Sequence, residues 1–442
     1  MKVLKFGGTS VGSPERMHRV AELVTQSAEP KIVVLSAVSG TTNTLVQIGK
    51  AIQAQQVEEA NKLVGDLRRH YNLFCQDLLA DEPARKEGMK IIEAHFEVLK
   101  NVTQEQFSAD VEKEILAQGE LLSTKLFTAY LQSQNIPVVL LSALEFMRID
   151  ANQEPDEAFI QERLRTLLDQ HPDARLFVSQ GYICLNSENR IDNLQRGGSD
   201  YTASLIGAAL NADEIQIWTD IDGMHNNDPR IVKRTFRIDR LSFNEAAELA
   251  YFGAKILHPF TVRPAQRANI PVRLLNTMTP QAPGTLISDY QEDRSITAVA
   301  AKDGITAIKI KSSRMLLAYG FLRKVFEIFE KYHTPIDLIT TSEVGISLTI
   351  DNQQYLTNIL EELKAYGEVE INSDHTIVCV VGNMPFQKVG VLKKIVDAIG
   401  DIPIRMLSYG GSKFNISLLV NSKYKNETLN RLNDHIFTFP QE

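Results

Sequence analysis

Cysteine is scarce in this chain: Cys75, Cys184 and Cys379 are the only ones in 442 residues. They are far apart and odd in number, which argues against a disulfide framework and against a zinc cluster. Reduced, buried thiols in a cytoplasmic protein are the expectation. Positive charge is in deficit, with 47 Lys and Arg against 55 Asp and Glu and a formal net charge of −8. That balance speaks against nucleic acid or an anionic membrane as partner. No apolar run approaches the roughly 20 residues that span a bilayer. A first strand expected from residue 2 leaves no room for a secretory leader. The Walker pattern, GxxxxGK followed by Ser or Thr, is also missing. What remains is an ordinary globular composition, 43% hydrophobic and 23% charged, at a length that suggests about three domains.

The N-terminus is the most informative stretch. Lys2–Lys5 is a short β-type run, and Phe6-Gly7-Gly8-Thr9-Ser10 follows. Ser13 is placed as an N-cap with Pro14 at the first helical position. Glycines let backbone amides approach an anion, the helix start adds partial positive charge and Lys5 adds a full one. The arrangement reads as a phosphate cradle, or as a tight turn after a first strand.

Strand-like runs recur at Val3–Phe6, Ile32–Leu35, Val138–Leu141, Leu176–Val178, Ile215–Trp218 and Val272–Leu275. Most lack alternation, as strands buried on both faces do. Helical periodicity lies between them, for example through Leu63, Leu67, Tyr71, Phe74 and Leu78. A three-layer α/β fold with a mostly parallel sheet is predicted, with ligands at the carboxyl ends of its strands. The polar stretch Met278–Asp293 reads as a linker. Beyond it lies a weak repeat, offset by about 70 residues. Gly320–Phe326 resembles Gly390–Val396, Pro335-Ile336-Asp337 resembles Pro403-Ile404-Arg405, and Ile346-Ser347-Leu348 matches Ile416-Ser417-Leu418. Two small α+β modules are expected.

Several segments carry chemistry. Arg196-Gly197-Gly198-Ser199-Asp200 precedes an apolar helix at Ala203–Leu210 and offers a second anion-binding turn. Asp200 is either a capping acid or the partner of Lys5 or a metal. Ser36–Asn43 is dense in hydroxyls and fits a polar small molecule or a capped loop. Glu120 reads as a first-turn residue of a helix at Leu121–Leu131. Trp218-Thr219-Asp220 ends a strand, and Asp222-Gly223 and Asp228-Pro229 are turn signals, with Arg230 in reach of phosphates. Phe252–Pro259 adds Lys255 beside a glycine.

In this order these segments resemble the aspartokinases of the amino-acid kinase family, over essentially the whole chain. KFGGTSV, the Arg196–Asp200 turn, Trp218-Thr219-Asp220 and FGAKILHP carry the likeness, and the repeated tail resembles a pair of ACT regulatory modules. The resemblance implies a catalytic domain at 1–293, a first module at 303–374 and a second at 294–302 plus 375–442. It implies phosphoryl transfer from Mg-ATP to the side-chain carboxylate of L-aspartate, the first step toward lysine, threonine and methionine. Lys5 and Asp200 would be catalytic. Ser36, Thr42, Glu120, Arg196, Gly197, Gly198 and Ser199 would hold aspartate. Lys5, Phe6, Gly7, Gly8, Thr219, Asp220, His225, Arg230 and Lys255 would hold ATP, with Mg²⁺ carried by the nucleotide rather than by the protein. His225 stands where the family often has tyrosine. Met315, Ala318, Phe321, Leu322, Ile336, Asp337, Ser342 and Glu343 would form an effector site in the first module, most like the lysine-sensitive branch. Asp337 is matched by Arg405 in the second copy, and Glu343 by a glycine-rich turn, so a cationic effector favours the first. A homodimer or dimer of dimers through the tail is expected. The alternatives are another amino-acid kinase fold enzyme and a non-catalytic amino-acid sensor.

Overall fold

Strands expected from apolar runs build the first sheet. The computed structural model describes residues 1–194, 197–253, 261–290, 295–312, 315 and 319–437. Its early elements are β1 (Lys2–Phe6), α1 (Pro14–Thr25), β2 (Lys31–Leu35), α2 (Thr41–Gln53), α3 (Val57–Leu78), α4 (Glu82–Val102) and α5 (Ala109–Ser133). Next come β3 (Val139–Leu141), α6 (Ala143–Phe146), α7 (Glu157–Asp169), β4 (Leu176–Gln180), β5 (Ile183–Leu185), β6 (Ile191–Asn193), α8 (Gly198–Leu210) and β7 (Glu214–Thr219). β8 (Arg240–Ser242), α9 (Phe243–Tyr251), α10 (Arg263–Arg267), β9 (Val272–Asn276) and β10 (Thr285–Ser288) follow.

The sheet runs β3-β4-β2-β1-β7-β9-β10-β8 and is parallel except where β10 meets β9. β2 and β4 are buried along their whole length, which is why their sequences do not alternate. Ser13 caps α1, its Oγ accepting from the Arg16 N–H, with Pro14 at the first turn. A core of Phe6, Met17, Leu35, Tyr71, Phe96 and Phe127 fills the space between sheet and helices.

Three expectations differ here. Glu120 is not at a helix start: Ser108 caps α5, which runs on to Ser133 and buries Glu120 in its middle. The Met278–Asp293 stretch is not wholly linker, because Thr285–Ser288 pairs with β9 and β8. Four residues flanked by Pro283 and Gly284 leave too short an apolar run to read as a strand. The helix placed at Ala203 begins five residues earlier, at Gly198.

The tail supplies β11 (Ala298–Lys311), α11 (Phe321–Lys331), β12 (Ile339–Ser342), β13 (Gly345–Ile350), α12 (Leu356–Leu363) and β14 (Glu368–Val381). It ends with α13 (Val391–Ile399), β15 (Ile404–Ser408), β16 (Asn415–Asn421) and α14 (Lys425–Ile436). Its six strands form one sheet, β12-β13-β11-β14-β16-β15. β11 and β14 are each 14 residues long and serve both modules. The register of β11 on β14 shifts between Lys302 and Ile305, and Asp374 has φ +61°. Gly320 and Gly390 start α11 and α13 with φ of +78° and +86°, so the repeat in sequence is a repeat in backbone.

Close packing divides the chain into Met1–Met224, Asp239–Phe243 and Leu257–Tyr290 as one unit, and His225–Ile238, Asn244–Ile256 and Gln291–Glu442 as the other. Val232 enters the apolar cluster of Val378, Ile395 and Leu418, and the Asn226 carbonyl accepts from the Val299 N–H at 2.8 Å.

Candidate active site

β1 sits in the middle of the first sheet between β2 and β7 and delivers Lys5 to the carboxyl ends of the strands. The Lys5 ammonium lies 2.7 Å from Asp200 Oδ1, with the two side chains only 12% and 15% exposed. Asp200 is in the first turn of α8, where the helix dipole favours its negative charge. The chain then turns at Gly7, whose N–H donates to the Trp218 carbonyl at 3.2 Å. A Cβ on Gly8 would meet the Ala37 carbonyl oxygen at 2.9 Å, so only glycine permits this approach of two strand-end loops. The single tryptophan, Trp218, stacks on Phe6 at 5.6 Å and holds β7 against β1. Thr219 thus ends the strand and Asp220 follows it, with Thr219 Oγ1 donating to Asp220 Oδ1 at 3.1 Å.

The loop after β2 reaches the same place. Ser36 Oγ donates to Ser199 Oγ at 2.9 Å, and the Ala37 N–H donates to Glu120 Oε1 at 3.2 Å. The other carboxylate oxygen, Glu120 Oε2, is buried without a hydrogen-bond partner. Burial pushes the Glu120 carboxyl up to about 7, against the Ala37 hydrogen bond, the backbone hydrogen bond at Glu120 and the charge of Lys5, which pull it down. Such an orphaned oxygen is a receptor for an incoming cation. Thr42 lies exposed in the first turn of α2, after Gly40 with φ +86°. Gly197 and Gly198, with φ of +81° and +47°, open α8.

Lys5, Phe6, Gly7, Gly8, Ser36, Glu120, Gly197, Gly198, Ser199, Asp200, Thr219 and Asp220 are therefore gathered by one unit. His225 and Arg230 belong to the other. His225 Nδ1 is 3.3 Å from Thr235 Oγ1. The Arg230 guanidinium, expected to reach phosphates, forks onto Asp228 at 2.9 and 2.8 Å. Arg196, Lys255 and Ala318 lie outside the described residues. Sequence reasoning missed Ser123, whose Oγ donates to the Ser36 carbonyl at 2.8 Å. Its one signal is its place a helical turn beyond Glu120. Tyr182 was missed too. It holds φ +68° and bonds Thr202 Oγ1 through its N–H at 2.9 Å.

In the first tail module Phe321 is a core residue, its ring edge-on to Tyr366. Met315 and Ile336 pack against the same core, while Leu322, Ser342 and Glu343 are exposed. Asp337 is not open: its side chain is 1% exposed and bound by Lys302 at 2.7 Å. Tyr251 donates to the same oxygen at 2.8 Å. Burial raises the Asp337 carboxyl above its usual range, opposed by Lys302 and Tyr251.

The first unit is a parallel sheet with a lysine–carboxylate pair and glycine-rich turns at its strand ends. Residues 1–276 match the family model "Amino acid kinase family", and residues 378–436 match "ACT domain". The chain belongs to the amino acid kinase family. Lysine-sensitive aspartokinase 3 of Escherichia coli (strain K12) is 34% identical over 447 residues, covering 98% of this chain and 99% of that protein. The crystal structure of E. coli aspartokinase III with aspartate and ADP, its R-state, has a TM-score of 0.86 at 33% identity, covering 99% and 100% of the two chains. The T-state of that enzyme, with lysine and aspartate, has a TM-score of 0.83 at 33% identity and the same coverage. Within its family the chain belongs to the aspartokinases.

Proposed function

We propose that this chain transfers the γ-phosphoryl group of ATP to the β-carboxylate of L-aspartate, giving 4-phospho-L-aspartate and ADP. A carboxylate oxygen attacks the γ-phosphorus, and the bond to the β,γ-bridging oxygen breaks. No general base is needed, because the attacking carboxylate is already ionised at neutral pH. Catalysis is then positioning and charge stabilisation. Lys5, oriented by Asp200, neutralises charge on the transferred group, and Gly7 and Gly8 supply backbone amides. Glu120 receives the substrate ammonium, Arg196 forks onto its α-carboxylate, and Ser36, Thr42 and Ser199 frame it. Thr219 and Asp220 hold the nucleotide; the resemblance assigns Lys255 and the His225 loop to it as well, whereas Arg230 is engaged by Asp228. The exposed carboxylate of Asp220, just past the end of β7, suits a hydrated hard cation. Mg²⁺ bound to the nucleotide would offset phosphate charge there.

The single observation that carries this reading is the convergence of the Lys5–Asp200 pair and the half-partnered, buried Glu120 carboxylate at one sheet end. ATP consumption by the purified protein tests it. Turnover should require L-aspartate and be absent with glutamate or acetylglutamate. Turnover indifferent to aspartate, or none at all, would leave the alternatives of another amino-acid kinase or a sensor.

L-lysine is the effector, bound at the first tail module through Asp337. A second copy of the chain covers the tail, where Leu322 and Phe326, four apart on α11, are both exposed. Light scattering should give a dimer or a multiple of it. The three free, buried thiols fit a reducing cytoplasm.

A further inference from the structure

Lys302 stands in β11 at the register shift against β14. Its ammonium has two acids in reach, Asp337 Oδ1 at 2.7 Å and Asp351 Oδ2 at 2.8 Å. Asp337 is fully shielded, whereas the Asp351 side chain is 35% exposed. The same ammonium lies 4.4 Å from the centre of the Tyr251 ring, whose hydroxyl also holds Asp337 Oδ1. Asp337 Oδ2 is buried without a partner. One carboxylate thus has one oxygen doubly engaged by the chain's own groups and one oxygen left over.

A second ammonium arriving at Asp337 would stand within a few ångströms of Lys302. At that range in a shielded site like charges repel strongly. The repulsion is relieved if Lys302 swings wholly to Asp351, which is already its partner. We propose that Lys302 is a built-in competitor for the effector's ammonium at Asp337, yielding to Asp351 when the effector binds, and that Tyr251 relays the exchange to α9. The proposal rests on the reading that a cationic amino acid binds at Asp337.

The relay has a physical path. On α9, Glu245, Glu248 and Tyr251 recur every third residue, one face of a helix. Each is fastened to the tail: Glu245 accepts from Thr297 Oγ1 at 2.6 Å, Glu248 accepts from Ser412 and Asn415, and Tyr251 donates to Asp337. Two residues past the end of α9 comes Gly253, with φ +135°. A Cβ there would lie 2.2 Å from the carbonyl oxygen of Ala301, the neighbour of Lys302. The end of α9 therefore abuts β11 at the residue beside the competitor. Displacing Tyr251 from Asp337 therefore acts on the end of α9, where Gly253 lies against Ala301.

Calorimetric titration with L-lysine, paired with inhibition of aspartate-dependent ATP turnover, tests this. Lys302→Met should bind lysine about ten-fold more tightly, the scale of one charge-assisted contact. Asp351→Asn, a change at a solvated position, should weaken lysine several-fold because Lys302 then has nowhere to go. Tyr251→Phe should still bind lysine but be inhibited less completely at saturation. Unchanged or weaker binding by Lys302→Met, unchanged binding by Asp351→Asn, or full inhibition of Tyr251→Phe would each overturn the proposal while leaving the effector reading intact. A wild-type protein that does not bind lysine would overturn both.

Discussion

At the scale of the residue, two buried charges define the site, and each gives a prediction. Lys5→Met removes a preorganised positive charge from the transferred group and should lower kcat about 10²-fold or more. Circular dichroism should still report a folded protein, because the α8 dipole continues to favour the Asp200 charge left behind. Near wild-type kcat in the folded variant would refute the role. Glu120 gives a pH dependence. Its carboxyl is held near 7, so below that pH it is neutral in the free enzyme and attracts an ammonium poorly. kcat/KM for aspartate should therefore rise with pH through about 7, and Glu120→Gln should flatten that limb and raise KM for aspartate. Stability moves the other way. The folded state keeps a proton that the unfolded chain loses near pH 4.5, so stability falls as pH rises from there to about 7. The burial cost above that window is on the order of 3 kcal/mol. Melting temperatures of wild type and Glu120→Gln at pH 5 and 8 check the sign, since only wild type should lose most of this increment.

At the scale of the element, α5 and the loop after β2 are fitted to one another. A Cβ on Gly119 would lie 2.8 Å from the Ala37 Cβ, a contact that neither atom can avoid by turning a side chain. Gly→Ala inside an exposed helix gains up to about 1 kcal/mol. Here overpacking, typically about 1–3 kcal/mol, should win. Gly119→Ala should melt lower than wild type and should raise KM for aspartate, because the loop that moves carries the Ala37 N–H bound to Glu120. A higher melting temperature would mean that the loop yields freely. This fit was not legible in the sequence, where Gly119-Glu120 resembled a helix start. Whether a glycine begins a helix or sits against another chain segment depends on the partner, and Ala37 is 82 residues away in sequence. β10 escaped for a related reason: four residues become a strand because β9 and β8 lie on either side.

At the scale of the whole molecule, the tail is a duplicated module whose copies are not equivalent. Asp337 is buried and paired in the first, while Arg405 at the matching position is exposed. L-lysine should inhibit the wild-type protein. Asp337→Ala should leave uninhibited turnover intact and raise the lysine needed for half-inhibition about ten-fold or more. Unchanged inhibition in that variant, or a wild type that answers threonine but not lysine, would defeat the assignment. Effector control of this kind requires two states that bind lysine unequally.

The sequence by itself determined the elements whose chemistry is local. Six strands of the first sheet, the Ser13-Pro14 helix start, the glycines before α11 and α13, and the order of the motifs all follow from residues within a few positions of one another. It also supplied the pairing of Lys5 with Asp200 as one of two readings, since a lysine and an acid at glycine-rich turns need each other once buried. Only the tertiary structure decided which reading holds, because the two residues meet through the adjacency of β1 and the start of α8. It alone placed Glu120 in mid-helix with an unpartnered oxygen, gave Asp228 as the partner of Arg230, and set Lys302 and Tyr251 on Asp337. Burial and the identity of a charge's neighbour are properties of the folded chain, and no local pattern of residues encodes them.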